Sequence, residues 1–189
     1  PPGTPHLTEV ETVIAIIHFN ELRRIERVRY HYRVRVRQDT IDRVYVRAEV
    51  PAGAEKKPTV EANTGLELRQ VRIWTPGHIS VSFSTPGPVR RGERLQFGFQ
   101  LHYSYPEGTM PAEGGHFMHW EHNDYYRLTM RCYFKDRPVA VWKFFESLLS
   151  YPGREQDGTP VPVDTLGSAR FDTAATYLRT ATGLAWRWS

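Results

Sequence analysis

Residues 27–50 read "RVRYHYRVRVRQDTIDRVYVRAEV". Taken in twos, Val28, Tyr30, Tyr32, Val34 and Val36 point to one side, and Arg27, Arg29, His31, Arg33, Arg35 and Arg37 to the other. That is the period of a half-buried β-strand. The polar stretch "QDTID" then reads as a turn, and residues 43–50 as a second strand, so 26–37 and 43–50 are expected to form a hairpin. Keeping apolar residues opposite apolar ones makes the sum of paired residue numbers even. Centring the turn on Thr40 pairs Arg37 with Arg43 and Arg33 with Arg47. A slip of two residues pairs Arg35 with Arg43 or with Arg47. Every such register sets one arginine opposite another, which costs up to about 1 kcal/mol unless an anion or an acidic side chain lies between them.

The same alternation recurs outward from this stretch. Residues 7–19 fit a helical stripe and a buried strand alike, and their β-branched density favours the strand. A loop rich in Pro, Gly and Lys follows residue 50, with a short strand at 59–61. Residues 66–74 and 79–83 are joined by "TPGH" as a hairpin, and Ile79, Val81 and Phe83 alternate with Ser80, Ser82 and Ser84. A turn-rich connection, "STPGPVRRGE", leads into the strand that carries Leu95, Phe97, Phe99 and Leu101. Residues 126–134 and 139–145 read as a third hairpin around "KDRP", 169–172 as a brief strand, and 184–188 as a closing strand. Many short alternating strands without a long amphipathic helix predict an all-β chain, an antiparallel immunoglobulin-like β-sandwich, as a single domain over residues 1–189.

Composition is consistent with that class. The chain has 189 residues, 40% hydrophobic and 24% charged, enough for one full core. No apolar run approaches the roughly 20 residues of a membrane-spanning helix. Cys132 is the single cysteine, so no internal disulfide forms, and a reducing cytoplasm is the expected compartment. The chain opens on Pro-Pro-Gly and reads as a fragment of a longer protein. No P-loop, dinucleotide fingerprint or nucleophile elbow is present, and no cofactor is expected.

Two groups of residues carry chemistry. Arg29, His31, Arg33, Arg35, Arg43, Tyr45 and Arg47 form the first, a basic face for an anionic small molecule or a protein partner. Guanidinium forks bind carboxylate and phosphate bidentately, and His31 and Tyr45 add stacking surfaces. The plainer alternative is a solvated face neutralised by the chain's own acids. No recognition module for sequence-specific nucleic-acid reading is visible. The second group is His116, His119 and His122, with Glu121 and Asp124, whose residue types suit a metal. On an extended strand His116 and His122 stand about 20 Å apart, with His119 pointing the other way. A folded loop could instead gather His119, Glu121 and His122, or His122 with Asp124, and the alternative to a metal is histidines packing on Trp120, Tyr125 and Tyr126. The function expected is non-enzymatic binding or regulation. A metal-dependent enzyme built on the histidine loop is the alternative, and a dimerising structural domain the third reading.

"PVRRGERLQFGFQL" and the closing "GLAWRW", through Gly92, Glu93, Gly183, Trp186 and Trp188, resemble the β-rich C-terminal domains that follow a helix-turn-helix in actinobacterial transcriptional regulators. The resemblance extends from about Glu21 to the end, and the helix-turn-helix itself is not in this sequence. It implies a cytoplasmic accessory domain for effector sensing or protein contact and carries over no catalytic residue.

Overall fold

The structure is a computed structural model that describes residues 6–63, 65–122, 126–147, 158–173 and 180–189. They are all-β, in three sheets. A six-stranded sheet has the order β12-β9-β1-β2-β7-β4, a four-stranded sheet β11-β10-β13-β8, and a three-stranded sheet β3-β6-β5. In chain order the strands are β1 Thr8–Phe19, β2 Ile25–Val36, β3 Thr40–Glu49, β4 Thr59–Ala62, β5 Glu67–Thr75, β6 His78–Arg90, β7 Arg94–His102, β8 Gly114–His119, β9 Arg127–Tyr133, β10 Ala140–Ser147, β11 Thr159–Pro160, β12 Ser168–Thr173 and β13 Thr180–Arg187. All neighbours are antiparallel except β1 and β9, which run parallel. The β-branched run of β1 is a strand, with Val13, Ala15 and Ile17 fully buried and Ile14 and Ile16 half-buried on its other side.

β2 and β3 do not form the expected hairpin. β2 is already paired on both edges, with β1 from Thr8↔Val36 to Phe19↔Ile25 and with β7 from Arg27↔His102 to Arg35↔Arg94. With no free edge left on β2, the linker after Val36 crosses to another sheet, where β3 pairs with β6. The Arg37 N–H is held by the Leu7 carbonyl, and the Arg91 N–H by that of Asp39. The expected arginine-to-arginine pairs across β2 and β3 therefore do not exist. "KDRP" is likewise a crossing between sheets, because β9 lies between β1 and β12 while β10 lies between β13 and β11.

The β5–β6 hairpin forms as expected, with Gly77 in the left-handed region at φ 78°. "STPGP" is not a plain connection. β6 runs on through it, and the register jumps from Arg43↔Ser84 to Ile41↔Val89, so Pro86 and Pro88 sit in a bulge where no ladder donor is required of them. Gly92, at φ 85°, turns the chain into β7, and the Glu93 carboxylate accepts the Arg90 N–H at 2.7 Å.

One hydrophobic cluster lies beneath all three sheets. Tyr30 and Tyr32 of β2 stack on Phe97 and Phe99 of β7, and Phe83 of β6 packs on Phe99 with ring centroids 5.0 Å apart. At the other end Phe19 meets Phe134, Trp186 and Trp188 at 4.5, 4.9 and 5.9 Å. A second, smaller cluster holds Trp142, Phe144 and Ala185 of the four-stranded sheet, and Gly183 of β13 allows Phe144 and β8 to approach, since a Cβ there would lie 2.4 Å from the Phe117 carbonyl oxygen and 2.6 Å from the Phe144 ring. Gly183→Ala is expected to cost about 3 kcal/mol or more, read as a lower urea midpoint. An unchanged midpoint would refute this close packing.

Candidate functional surfaces

The predicted basic residues divide between two faces. Arg29, His31, Arg33 and Arg35 of β2 lie on the outer face of the six-stranded sheet, while Arg43, Tyr45 and Arg47 of β3 lie on the outer face of the three-stranded sheet.

On the first face, neutralisation is local. Glu11 of β1 sits in a bulge and gathers three arginines, at 3.0 Å from Arg33, 2.9 Å from Arg35 and 3.0 Å from Arg94, with its own side chain only 16% exposed. Arg37 pairs with Glu9 at 3.0 Å. Burial opposes ionisation of Glu11, but hydrogen bonds and charge from Arg94 and Arg35 outweigh it and hold the carboxyl below its ordinary value of 4.5. Further along, among the described residues, Arg29 reaches only the Gln100 side chain, and Arg131 only the Ser168 hydroxyl and the Tyr133 ring. Cross-strand neighbours place Ile16 between these two arginines and Ile14 between His31 and Thr129. The His31 ring titrates below its ordinary value because it is partly desolvated and lies near Arg29.

The second face has another texture. Ser80, Ser82 and Ser84 run along central β6. Arg47 and Arg72 flank Ser80, Tyr45 and Gln70 flank Ser82, and Arg43 and Glu67 flank Ser84. Arg43 pairs with Asp42 at 3.1 Å, Arg69 hydrogen-bonds Ser84, and the Arg47 guanidinium lies 3.9 Å over the Trp74 ring. Tyr45 is 53% exposed.

The histidines do not share a site. His116 lies 3.4 Å from the Glu49 carboxylate, and His119 is buried with Nε2 2.9 Å from Glu121. His122 Nε2 instead hydrogen-bonds the Thr8 carbonyl at 2.7 Å, with its ring stacked on His6 at 3.8 Å. Of the gathering of His119, Glu121 and His122 expected in a folded loop, the His119–Glu121 contact alone forms among the described residues. Asp124 and Tyr125 lie outside the described residues. Among those described, no group of three or more such side chains is placed to hold a metal ion. His119 packs edge-on to Tyr126 and beside Tyr30 and Tyr32, a core position. Burial likewise pushes the Cys132 thiol far up, so it is no nucleophile.

A cleft of about 670 Å³ opens where the three sheets meet, walled by Arg24, Glu49, Tyr105, His116, Met118 and Trp186 among others. Glu49 and Arg24 are engaged within the fold, whereas the buried Nε2 of His78, which also lines the cleft, has no hydrogen-bond partner among the described residues. Glu49 accepts the Met118 N–H of edge strand β8 at 2.7 Å, and Arg24 donates to the carbonyls of Met110 and Ala52. Sequence reading missed Glu11, Glu49 and Arg72. Glu11 had a faint signal as an acid on the polar side of β1, whereas Glu49 and Arg72 acquire meaning only through neighbours distant in sequence.

No family model matches the chain, and no curated protein matches it. Solved structures similar to it include yeast LTA4 hydrolase in complex with bestatin, at TM-score 0.48 and 8% identity, covering 98% of this chain and 31% of that one. Native yeast LTA4 hydrolase gives TM-score 0.44 and 8% identity, covering 95% of this chain and 29% of that one. The chain thus spans less than a third of either. No helix is long and apolar enough to cross a membrane among the described residues.

Glu11→Gln is expected to lower stability at neutral pH by about 1–2 kcal/mol, with added salt raising the melting temperature of the variant more than that of the wild type. Because the folded carboxyl titrates low, its contribution is complete above pH 4.5 and is lost as pH falls through the depressed value. The two proteins should therefore converge in acid. A pH-independent gap between them would contradict this assignment.

Proposed function

We propose that the chain is a non-enzymatic binding or regulatory module of a larger bacterial protein, acting in the cytoplasm, and that it docks an acidic protein partner through the outer face of the six-stranded sheet. The observation that carries this reading is the cross-strand row in which half-buried Ile16 stands between Arg29 and Arg131, with neither guanidinium on a carboxylate among the described residues. An apolar centre framed by arginines has the composition of protein interfaces, where arginine is enriched and lysine depleted. A partner carboxylate would accept both N–H groups of a guanidinium fork. The sheets form a β-sandwich of immunoglobulin-like kind, with the six-stranded sheet as one layer and the two smaller sheets as the other; the main hydrophobic cluster, which draws residues from all three sheets, supports this. The resemblance to C-terminal domains of transcriptional regulators agrees with such a role, although Gly92, Gly183, Trp186 and Trp188 serve the fold and not the face.

Retention on immobilised polyglutamate tests the reading. The wild type should be held at low salt and released by sodium chloride, and Arg29→Glu with Arg131→Glu should abolish retention while leaving the melting transition cooperative. Equal retention of the double variant would remove this face as the docking surface.

A further inference from the structure

The outer face of the three-stranded sheet differs from the face just described in one respect that matters for ligand class. Its centre is a line of hydroxyls, not isoleucines. Among the described residues, neither Ser80 nor Ser82 has a hydrogen-bond partner for its hydroxyl, and neither Arg47 nor Arg72 meets a carboxylate. Register puts Arg47 and Arg72 on either side of Ser80, so two exposed guanidiniums and a hydroxyl converge on one row. Two like charges facing one serine repel each other and stay unneutralised, which is the arrangement an oxyanion stabilises. The Trp74 ring beneath Arg47 fixes the plane of that guanidinium.

The next row, about 7 Å along the strand, offers Tyr45 with its ring half-exposed, and Gln70. Beyond it, about 13 Å from the first, the Ser84 row is charge-balanced: Arg69 bonds Ser84 and lies 3.8 Å from Glu67, and Arg43 pairs with Asp42. A basic row and an aromatic row thus lie side by side along β6 on an open surface. An acidic protein would meet no apolar centre here, and inorganic phosphate would leave the aromatic row unused. A stacking platform beside a backbone-tracking basic row is how single-stranded nucleic acids are bound without sequence reading.

We propose that this face is a sequence-tolerant binding site for single-stranded nucleic acid, with a phosphate on the Arg47–Ser80–Arg72 row and a base on Tyr45. A duplex keeps its bases stacked on one another and cannot use Tyr45. The site is separate from the docking face of the six-stranded sheet and does not depend on it.

The test is fluorescence anisotropy with fluorescein-labelled oligothymidylate at low salt, with unlabelled duplex of the same length, inorganic phosphate and polyglutamate as competitors. Binding should weaken with salt, and Arg47→Ala and Arg72→Ala should each reduce the logarithmic salt slope by about one. Tyr45→Ala should weaken binding about fivefold or more, Tyr45→Phe should restore it, and Arg29→Glu should leave it unchanged. These side chains are exposed, so the variants should melt as the wild type does. Three results would overturn the proposal: no binding of oligothymidylate, binding indifferent to Arg47, Arg72 and Tyr45, or displacement by duplex as effective as by single strand. Displacement by polyglutamate at equal charge would make the face a second docking surface for acidic proteins instead.

Discussion

The period of two along β2 constrains everything around it. Val28, Tyr30, Tyr32 and Val34 are at most 3% exposed, and the tyrosines carry the stack that joins β2 to β7. A slip of one residue would drive Arg29, Arg33 and Arg35 into the core, at a desolvation cost no pairing there could offset. With that register fixed, the arginines must share one outer face, and the chain must manage their repulsion. For Arg33 and Arg35 it does so through Glu11, delivered by the bulge in β1 that breaks the register between Val10 and Thr12, while Glu9 takes Arg37. The bulge is thus part of the electrostatic solution as well as a kink in the strand.

A second carboxylate plays the corresponding part at the junction of the sheets. Glu49 ends β3 of the three-stranded sheet, its side chain takes a backbone N–H from β8 of the four-stranded sheet, and its carbonyl accepts the Tyr103 hydroxyl just beyond β7 of the six-stranded sheet. One residue therefore touches all three sheets. It also blunts an edge strand that would otherwise present an open donor. The cleft beside it has a suitable volume for a small ligand, but its charged groups already act as fastenings. The two outer faces, where Arg29 and Arg131 on one and Arg47 and Arg72 on the other meet no carboxylate among the described residues, are where unspent binding capacity lies.

Strand content and facing were legible in the residues, and neighbours were not. The alternation in residues 27–37, 79–83 and 95–101 gave the right sides, and "TPGH" gave the right hairpin because Gly77 permits the tight turn. "QDTID" and "KDRP" misled because a polar turn between two strands looks the same whether the second strand folds back or crosses to another sheet. The candidate site suffered the same error. Seven residues read as one face became two faces, and Glu11, 24 residues before Arg35, was the partner that mattered. The histidines of 116–122 were dense in sequence, yet the strand and the chain beyond it send them to Glu49, Glu121 and Thr8.

Sequence alone determined which side chains face inward, because burial of apolar surface acts residue by residue and the pleat turns that preference into a period of two. It also determined that a large excess of arginine would be presented on sheet surfaces. Tertiary structure alone decided which strand lies beside which, since ladder hydrogen bonds join backbone groups that every residue shares and carry little record of side-chain identity. That choice of neighbours placed Ile16 between Arg29 and Arg131, and Ser80 between Arg47 and Arg72. The two surfaces differ in chemistry because the central strand of one offers isoleucine where the central strand of the other offers serine.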